Sequence, residues 1–360
     1  QVITSDRASS AQTIDGSLKF DQSKSQHLTR TFSAGNRRTW THSSWVRQGD
    51  FGRKKSFFMV GPSSGLSAAN YLSLDFDDND KLRYAGGAEN YKVTSQVFRD
   101  TGWYHVVWTC DTTEAAAVDR TKIYVNGELI TAWSTSSSNP SQNFELPYNE
   151  NGVVHRIGTS TPYNNDREWN DAMSQVYFID GAALGPENFG FTDPLTNTWK
   201  PKKYKHDKRF YGVTFSNQLS PSDGPWRNSN PKSNGFDGSA ATSIALDTVE
   251  GTLTFSPNFG EGPFEIEYKG FNDGQTTATI DGTALTYTSD SIWTGTVNTF
   301  NTLTLVAGAN NRPGITYIKV NGYMLVDAAA DNSFYLPFDG SAPIGQDRIG
   351  NGNDWTPVNF

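Results

Sequence analysis

The sequence predicts an all-β protein made of two antiparallel β-sandwich domains of the jelly-roll type, with extended polar arms. Three observations support this prediction. Short runs of β-branched and aromatic residues alternate with polar residues and are bounded by turn residues. The chain contains 33 Gly and 16 Pro, with abundant Ser, Thr and Asn, which indicates many turns. Few stretches show the 3.6-residue period of an amphipathic helix.

The first half of the chain contains a closely spaced series of predicted strands. Residues 103–110 give the strongest strand signal, and residues 122–130 are typical of a hairpin. Asn126-Gly127 at its centre accepts the positive φ angles of a type I′ turn. One short helical turn is expected within residues 182–189. The other predicted strands are residues 18–20, 40–46, 56–60, 71–76, 81–85, 153–158 and 173–179.

The second half changes in character before it becomes β-rich again. Predicted strands at 251–255, 264–268 and 301–306, and a hairpin at 317–326, indicate a second and smaller sandwich. We therefore divide the chain into a polar arm, a large sandwich, a linker or bridging segment, a small sandwich, and an extended tail that docks elsewhere or begins a further module. These parts are residues 1–15, 16–203, 204–232, 233–328 and 329–360.

Composition excludes several classes of protein. The net charge is −8, from 30 basic and 38 acidic residues, which argues against a generally basic nucleic-acid binder. The single cysteine, Cys110, excludes an intrachain disulfide framework and a multi-cysteine zinc site. No stretch approaches 18 consecutive apolar residues, so we expect no membrane insertion.

A run of carboxylates at residues 75–80 is the candidate metal site. It resembles the opening of a calcium loop but lacks the glycine and glutamate that a full EF-hand needs at positions six and twelve. We favour a solvated hairpin tip, with Ca²⁺ binding as the alternative and no cofactor required. The candidate Ca²⁺ ligands are Asp75, Asp77, Asn79 and Asp80.

The sequence gives little support for catalysis. Glu265 and Glu267 lie on one face of a predicted strand, as paired carboxylates of some glycosidases do. A further carboxylate would be needed, and Lys269 follows instead. We favour an exposed strand face and predict a protein that is not an enzyme.

Three loops combine aromatic rings with amide and carboxylate side chains, which is the chemistry that binds sugars. Rings stack on pyranose faces, and Asn, Asp and Gln bind hydroxyl groups. For each loop taken alone, an ordinary turn with a packed ring is the favoured alternative. The three loops are residues 162–171, 226–230 and 351–355. The candidate glycan-binding residues are Tyr163, Asn164, Asn165, Asp166, Trp169, Trp226 and Asn228.

Four motifs follow one another in an order that resembles laminin G-like, concanavalin A-like lectins. They are W-Y-H-V-V-W at 103–108, K-I-Y-V-N-G-E-L at 122–129, R-I-G at 156–158 and M-S-Q-V-Y-F-I-D-G-A-A-L at 173–184. The resemblance covers roughly residues 15–203. It implies a jelly-roll sandwich, usually without catalytic activity, that recognises glycans or proteins at a sheet rim, often near a calcium ion. No calcium-ligand motif of that family matches this sequence.

Other phrases resemble large virion proteins of marine bacteriophages, especially phages of cyanobacteria. They are S-L-K-F at 17–20, W-T-H-S-S-W-V-R at 40–47, F-I-D-G at 178–181, W-K-P-K-K-Y at 199–204 and G-N-G-N-D-W-T-P at 350–357. This likeness implies a tail fibre or similar appendage on the virion surface. Its partners would be copies of itself, other virion proteins and host-surface glycans. The alternatives are a structural protein that decorates a capsid or acts as a scaffold through its arms, and a glycan-cleaving enzyme.

Overall fold

The computed structural model describes residues 14–67, 69–86, 90–136, 139–160, 167–221, 226–271 and 276–360. It confirms the all-β prediction, because every sheet pairing in it is antiparallel. Helical segments in the described part of the chain are 3₁₀ turns of three or four residues. They are Gln22–Lys24, Ala117–Asp119, Pro186–Asn188, Lys208–Phe210, Phe215–Gln218, Arg227–Ser229 and Lys232–Gly235.

Fifteen strands precede residue 202. They are β1 Leu18–Lys19, β2 His27–Thr31, β3 Thr39–Arg47, β4 Lys55–Val60, β5 Leu72–Phe76, β6 Lys81–Gly86, β7 Asn90–Val97, β8 Trp103–Asp111, β9 Thr121–Val125, β10 Glu128–Leu129, β11 Trp133–Ser136, β12 Val154–Ile157, β13 Ala172–Asp180, β14 Gly190–Asp193 and β15 Thr198–Pro201.

Thirteen strands follow. They are β16 Leu219–Ser220, β17 Ile244–Ala245, β18 Thr252–Phe255, β19 Gly260–Gly270, β20 Thr276–Ile280, β21 Thr283–Ala284, β22 Thr286–Tyr287, β23 Ile292–Phe300, β24 Leu303–Ala307, β25 Gly314–Val320, β26 Tyr323–Met324, β27 Phe334–Leu336 and β28 Thr356–Val358.

The first sandwich consists of two large sheets. Its front sheet has the order β1-β13-β3-β8-β9-β10, and β27 also pairs with β13. Its back sheet has the order β11-β7-β6-β5-β4-β12-β2-β28. The core between them is rich in aromatic rings, among them Trp40, Trp108, Phe58 and Tyr148. Such rings bury a large apolar area per residue, which suits a chain with few aliphatic side chains.

The second sandwich is smaller. One sheet has the order β16-β18-β24-β20-β21, and the other has the order β17-β25-β19-β23-β22 with β26 paired to β25. Its hydrophobic core continues into the outer face of the front sheet, because Val107, Tyr177 and Ile179 belong to it. Phe210 and Phe215, from the segment predicted as a linker, are buried in the same core. The two sandwiches therefore share a hydrophobic junction.

The C-terminal segment is part of the first sandwich. After the second sandwich ends, β27 pairs with β13 of the front sheet and β28 pairs with β2 of the back sheet. Between these strands Trp355, which is 3% exposed, packs edge-to-face on Phe334. The chain thus returns to close the core that its N-terminal part began, and the second sandwich lies between the two portions.

Both predicted Asn-Gly hairpins are confirmed. Asn126 and Gly127 have φ angles of 51° and 86°, and Asn321 and Gly322 have 51° and 78°, as a type I′ turn requires. They join β9 to β10 and β25 to β26. The sequence prediction did not include the hairpin β14–β15, which lies next to the front sheet and forms part of the site described below.

Candidate functional site

An open groove of about 680 Å³ lies at the end of the front sheet, next to its edge strand β10. Four aromatic side chains line it: Trp45, Trp103, Tyr104 and Trp199. Its other lining residues come from β7, from the β9–β11 region and from the β14–β15 hairpin, so the groove reaches the rim between the two sheets. They are Gln96, Val125, Asn126, Glu128, Leu129, Ile130, Thr131, Ala132, Thr192, Asn197 and Thr198. We call this the aromatic groove.

Two glycines leave the space that the Trp199 ring occupies in the groove. A Cβ atom on Gly127 would lie 2.6 Å from the indole ring, and one on Gly190 would lie 2.4 Å from it. Real side chains do not approach so closely, so the ring occupies space that only glycine leaves free. Gly127 also has a φ of +86°, which glycine adopts at little cost. The β9–β10 and β14–β15 hairpins therefore fix this ring together.

His105 joins Trp199 to the front sheet. Its ring stacks on Trp45, with centroids 4.9 Å apart and planes 17° apart, and on Trp199, with centroids 6.0 Å apart. The Trp199 indole N–H donates to Nδ1 of His105 at 2.8 Å, so Nε2 carries the proton and donates to Ser43 Oγ at 2.8 Å. Full burial lowers the pKa of His105 to about 3, which keeps the ring neutral. The result is a rigid stack behind the groove.

Asn126 is a polar group held at a fixed position in the groove. Its Oδ1 accepts the backbone N–H of His105 at 2.8 Å, and its own backbone N–H donates to the His105 carbonyl at 2.8 Å. The side-chain NH₂ group remains as a donor. Half-buried rings beside fixed amides and hydroxyls form a surface that can stack on a sugar ring and bind its hydroxyl groups.

Three of the sequence-predicted glycan residues, Trp169, Trp226 and Asn228, lie in the described part of the chain, and they do not form one site. Tyr163, Asn164, Asn165 and Asp166 lie outside the described residues. Trp169 is 0% exposed and packs against Phe57 in the first core. This burial corrects its assignment as a stacking residue, because neither face of the ring is free for a sugar.

Trp226 and Asn228 belong to the second sandwich and do not line the aromatic groove. The backbone of Trp226 bridges to Leu246, and its half-buried ring packs against the second core. Asn228 is exposed, with a φ of 57° inside a 3₁₀ turn. Their arrangement is that of a turn with a packed ring, the alternative that the sequence left open for each loop. Trp355, in the third loop, is also buried.

The four candidate calcium ligands do not converge. Asp75 is fully buried and receives two hydrogen bonds of 2.6 Å from the Arg83 guanidinium. Asp80 is also buried and accepts from the Gly52 N–H and from Arg99, each at 2.8 Å. In the described segments, no three His, Cys, Asp or Glu side chains are grouped as a metal site requires. These contacts argue against Ca²⁺ binding, which was the alternative for this run, and the burial of Asp75 and Asp80 limits the solvated hairpin tip to residues 77–79.

Asp77 and Asn79 form the turn itself. Asp77 Oδ1 accepts the backbone N–H groups of Asn79 and Lys81, both at 2.9 Å. This is the short-range bonding expected of an Asx turn at a hairpin tip. Buried charges remain stable here because each carboxylate has a cation or N–H partner.

A second cavity, of about 210 Å³, lies at the junction of the sandwiches and is lined by an ion cluster. The Lys319 ammonium lies 2.7 Å from Asp111, 2.9 Å from Glu114 and 3.1 Å from Glu267. These carboxylates raise the pKa of Lys319 against the opposing effect of its burial. Glu267 also accepts the Tyr317 hydroxyl at 2.8 Å. Of the two glutamates Glu265 and Glu267, Glu267 is thus the one that contacts Lys319 and Tyr317 at the junction.

Sequence reasoning missed the groove, although one signal for it was present. Residues 103–110 are apolar at nearly every position, whereas a strand with one solvated face alternates. This pattern indicates a strand covered on both faces. Trp103 and His105 therefore needed a partner outside the first core, and Trp199 is the partner of His105.

One sequence family is similar to part of the first sandwich. Residues 21–187 match the sequence model of the concanavalin A-like lectin/glucanases superfamily, of the laminin G type. The match covers less than half of the chain and includes most of the aromatic groove, but not β14 and β15. No curated protein sequence is significantly similar to the chain. Among the described residues, no helix has the length and apolar character needed to span a bilayer.

Solved structures show partial similarity. The heptameric SAP-like pentraxin of Limulus polyphemus is 14% identical, with a TM-score of 0.34, and the match covers 47% of this chain and 77% of that one. The CBM40 of Ruminococcus gnavus IT-sialidase is 12% identical, with a TM-score of 0.32 and coverage of 48% and 93%. Trypanosoma rangeli sialidase is 15% identical, with a TM-score of 0.30 and coverage of 39% and 20%. The chain spans about a fifth of that enzyme.

Proposed function

We propose that this protein is a non-enzymatic surface protein of a phage virion, a tail fibre or similar appendage, which recognises host-surface glycans through the aromatic groove. The observation that carries the glycan part is the groove itself. Four aromatic rings line a cavity at the rim of a lectin-like sandwich, beside amide and hydroxyl groups. Its volume lies in the range of small-ligand sites.

The absence of catalysis is part of this proposal. Glycoside hydrolysis ordinarily needs two carboxyl groups across the scissile bond, about 5–5.5 Å apart for retention and roughly 6.5–9.5 Å for inversion. Among the described residues that line the aromatic groove, Glu128 is the one carboxylate. Binding without turnover therefore fits the groove better than hydrolysis does. Release of reducing sugar from host polysaccharide by the purified chain would refute this part.

The virion part of the proposal is supported by the sequence phrases that resemble marine phage proteins. On this proposal many copies of the chain act together at the particle surface. An open groove binds a sugar weakly, and repeated copies raise the overall affinity without new contacts. Copies of the chain and other virion proteins would then be its protein partners.

A purely structural role is the alternative from a different class. It assigns the polar arms to docking on neighbouring proteins. The C-terminal segment instead forms β27 and β28, which pair with β13 and β2 of the same chain. This pairing weakens the alternative, because that arm already has its partner.

The test is binding of the labelled full chain to candidate host cells and to a glycan array. Trp103→Ala removes a half-buried ring from the groove, and Trp226→Ala removes a half-buried ring from the second sandwich as a matched control. Trp103→Ala removes the free energy of burying this ring against the sugar, about 1.5–3 kcal/mol. We therefore expect its affinity to fall roughly ten-fold or more. We expect Trp226→Ala to bind as the wild type does.

Two further measurements complete this experiment. Periodate oxidation of the cells should abolish binding if the receptor is a glycan. A chelator should leave binding unchanged, because the carboxylates of the predicted calcium run already have protein partners. Equal affinity of wild type and Trp103→Ala, at unchanged thermal stability, would refute the groove as the binding site.

A further inference from the structure

The charge of the aromatic groove comes from one residue. Among its described lining residues, Glu128 is the one charged side chain, and the others are aromatic, aliphatic, amide or hydroxyl groups. Glu128 is exposed at the start of the edge strand β10. An anionic ligand in the groove would therefore lie near a like charge.

Two cations on strands next to the groove, Arg47 and Lys200, are not among its lining residues. Arg47 lies opposite Trp103 in the front sheet, and its exposed side chain donates to the Thr101 carbonyl at 3.1 Å, outside the groove lining. Lys200 follows Trp199 on β15, so its side chain leaves the strand on the opposite face. Its ammonium lies 4.0 Å from Asp193.

We propose that the aromatic groove selects neutral glycans and rejects sugars that carry a carboxylate or sulfate, with Glu128 as the residue that sets this preference. The inference rests on the proposed function, since it concerns the ligand of the same site. Stacking on Trp103 and Trp199 treats neutral and acidic pyranoses alike, because both present an apolar ring face. Discrimination between neutral and acidic glycans therefore depends on the charge of Glu128.

The size of the effect follows from Coulomb's law. Two unit charges about 6 Å apart in water repel by ~0.7 kcal/mol, which is a roughly three-fold loss of affinity. Partial exclusion of water by the bound sugar raises this factor. Salt lowers it, because the Debye length is about 8 Å at physiological ionic strength. We expect a discrimination of at least three-fold at low salt.

The experiment uses an array that carries neutral oligosaccharides beside their sialylated, uronic-acid and sulfated counterparts. We expect the wild type to prefer the neutral member of each pair, Glu128→Gln to lose the preference, and Glu128→Lys to reverse it. Glu265→Lys makes the same charge change on an exposed position of the second sandwich and should leave the ratio unchanged. Arg47→Gln should change it by less than two-fold.

The outcomes separate the two proposals. If the wild type binds acidic glycans as tightly as neutral ones, or if Glu128→Gln leaves the ratio unchanged, the neutral-glycan inference is wrong while glycan binding stands. If neither class binds in a form of the chain shown to be folded, the proposed function itself is wrong, and the inference is overturned with it.

Discussion

Acid should destabilise the first sandwich, because it contains three fully buried histidines. Burial lowers the pKa of His42 and of His105 to about 3, and it holds the pKa of His155 well below its usual value. In the unfolded chain each ring titrates near 6.5. Below that pH the unfolded state binds three more protons than the folded state does, so stability is lost as the pH falls.

One buried carboxyl group acts in the opposite direction. Burial raises the pKa of Asp180 to about 7, although hydrogen bonds from Asn36, Asn149 and Asn332 favour its charged form. Between roughly pH 4 and pH 7 the folded state therefore binds one proton that the unfolded state lacks. This proton stabilises the folded state as the pH falls. The net excess in the unfolded state is about two protons.

Two protons correspond to a slope of about 2.7 kcal/mol per pH unit, since each contributes about 1.36 kcal/mol per unit. From pH 6.5 to pH 4.5 the free energy of unfolding should fall by about 5 kcal/mol. Domains have about 5–15 kcal/mol in total. The first sandwich should therefore approach unfolding in mildly acidic solution.

The measurement is urea unfolding, followed by tryptophan fluorescence, at several pH values from 7.0 to 4.5. His42→Gln should reduce the slope by about 1.4 kcal/mol per pH unit, and Asp180→Asn should increase it by about the same amount. Thr29→Ser, at a half-buried position on β2, removes no titratable group, so it is the control and should leave the slope unchanged. A wild-type slope below about 1 kcal/mol per pH unit would refute the reasoning.

Three substitutions test other parts of the structure. Lys319→Met leaves the carboxylates of the junction cluster without their cation and should lower the free energy of unfolding by about 3–5 kcal/mol. Lys24→Met, at an exposed ion pair, should lower it by less than about 1 kcal/mol. Similar losses for the two variants in urea unfolding would contradict the buried cluster. Gly127→Ala places a methyl group against Trp199, so glycan affinity should fall at least ten-fold; unchanged affinity would mean that Trp199 does not shape the groove. Leu336→Ala in β27 should cost about 2–5 kcal/mol and shift the unfolding of the first sandwich, and a shift confined to the second sandwich would refute the placement of the tail.

Local signals predicted the parts of the fold that depend on local chemistry. Asn126-Gly127 requires only its own φ angles, so the hairpin could be predicted without knowledge of its neighbours. Strand β27 has only three residues, and its role becomes apparent only beside β13. Short segments of this kind gain their stability from a distant partner, which a local pattern does not specify.

The same distinction explains why the sequence did not indicate the aromatic groove. Trp169 and Trp103 both belong to the first sandwich, yet the first is fully buried and the second is half-exposed. Ring exposure depends on what covers the sheet face, and the ring that covers His105 beside Trp103 is Trp199 of the β14–β15 hairpin, almost a hundred residues later. The hairpin itself contains Gly190 and Asp193, which have low strand propensity, so its signal was weak.

Strand β8 connects the aromatic groove to the junction of the two sandwiches. Side chains alternate along a strand, so its odd-numbered residues from Trp103 to Asp111 all leave the outer face of the front sheet. Trp103 lines the groove, His105 stacks behind it, Val107 enters the second core and Asp111 binds Lys319. A paired central strand has little freedom to bend. The second sandwich therefore holds the groove in a fixed orientation. A sugar bound in the groove would have a fixed position relative to both sandwiches.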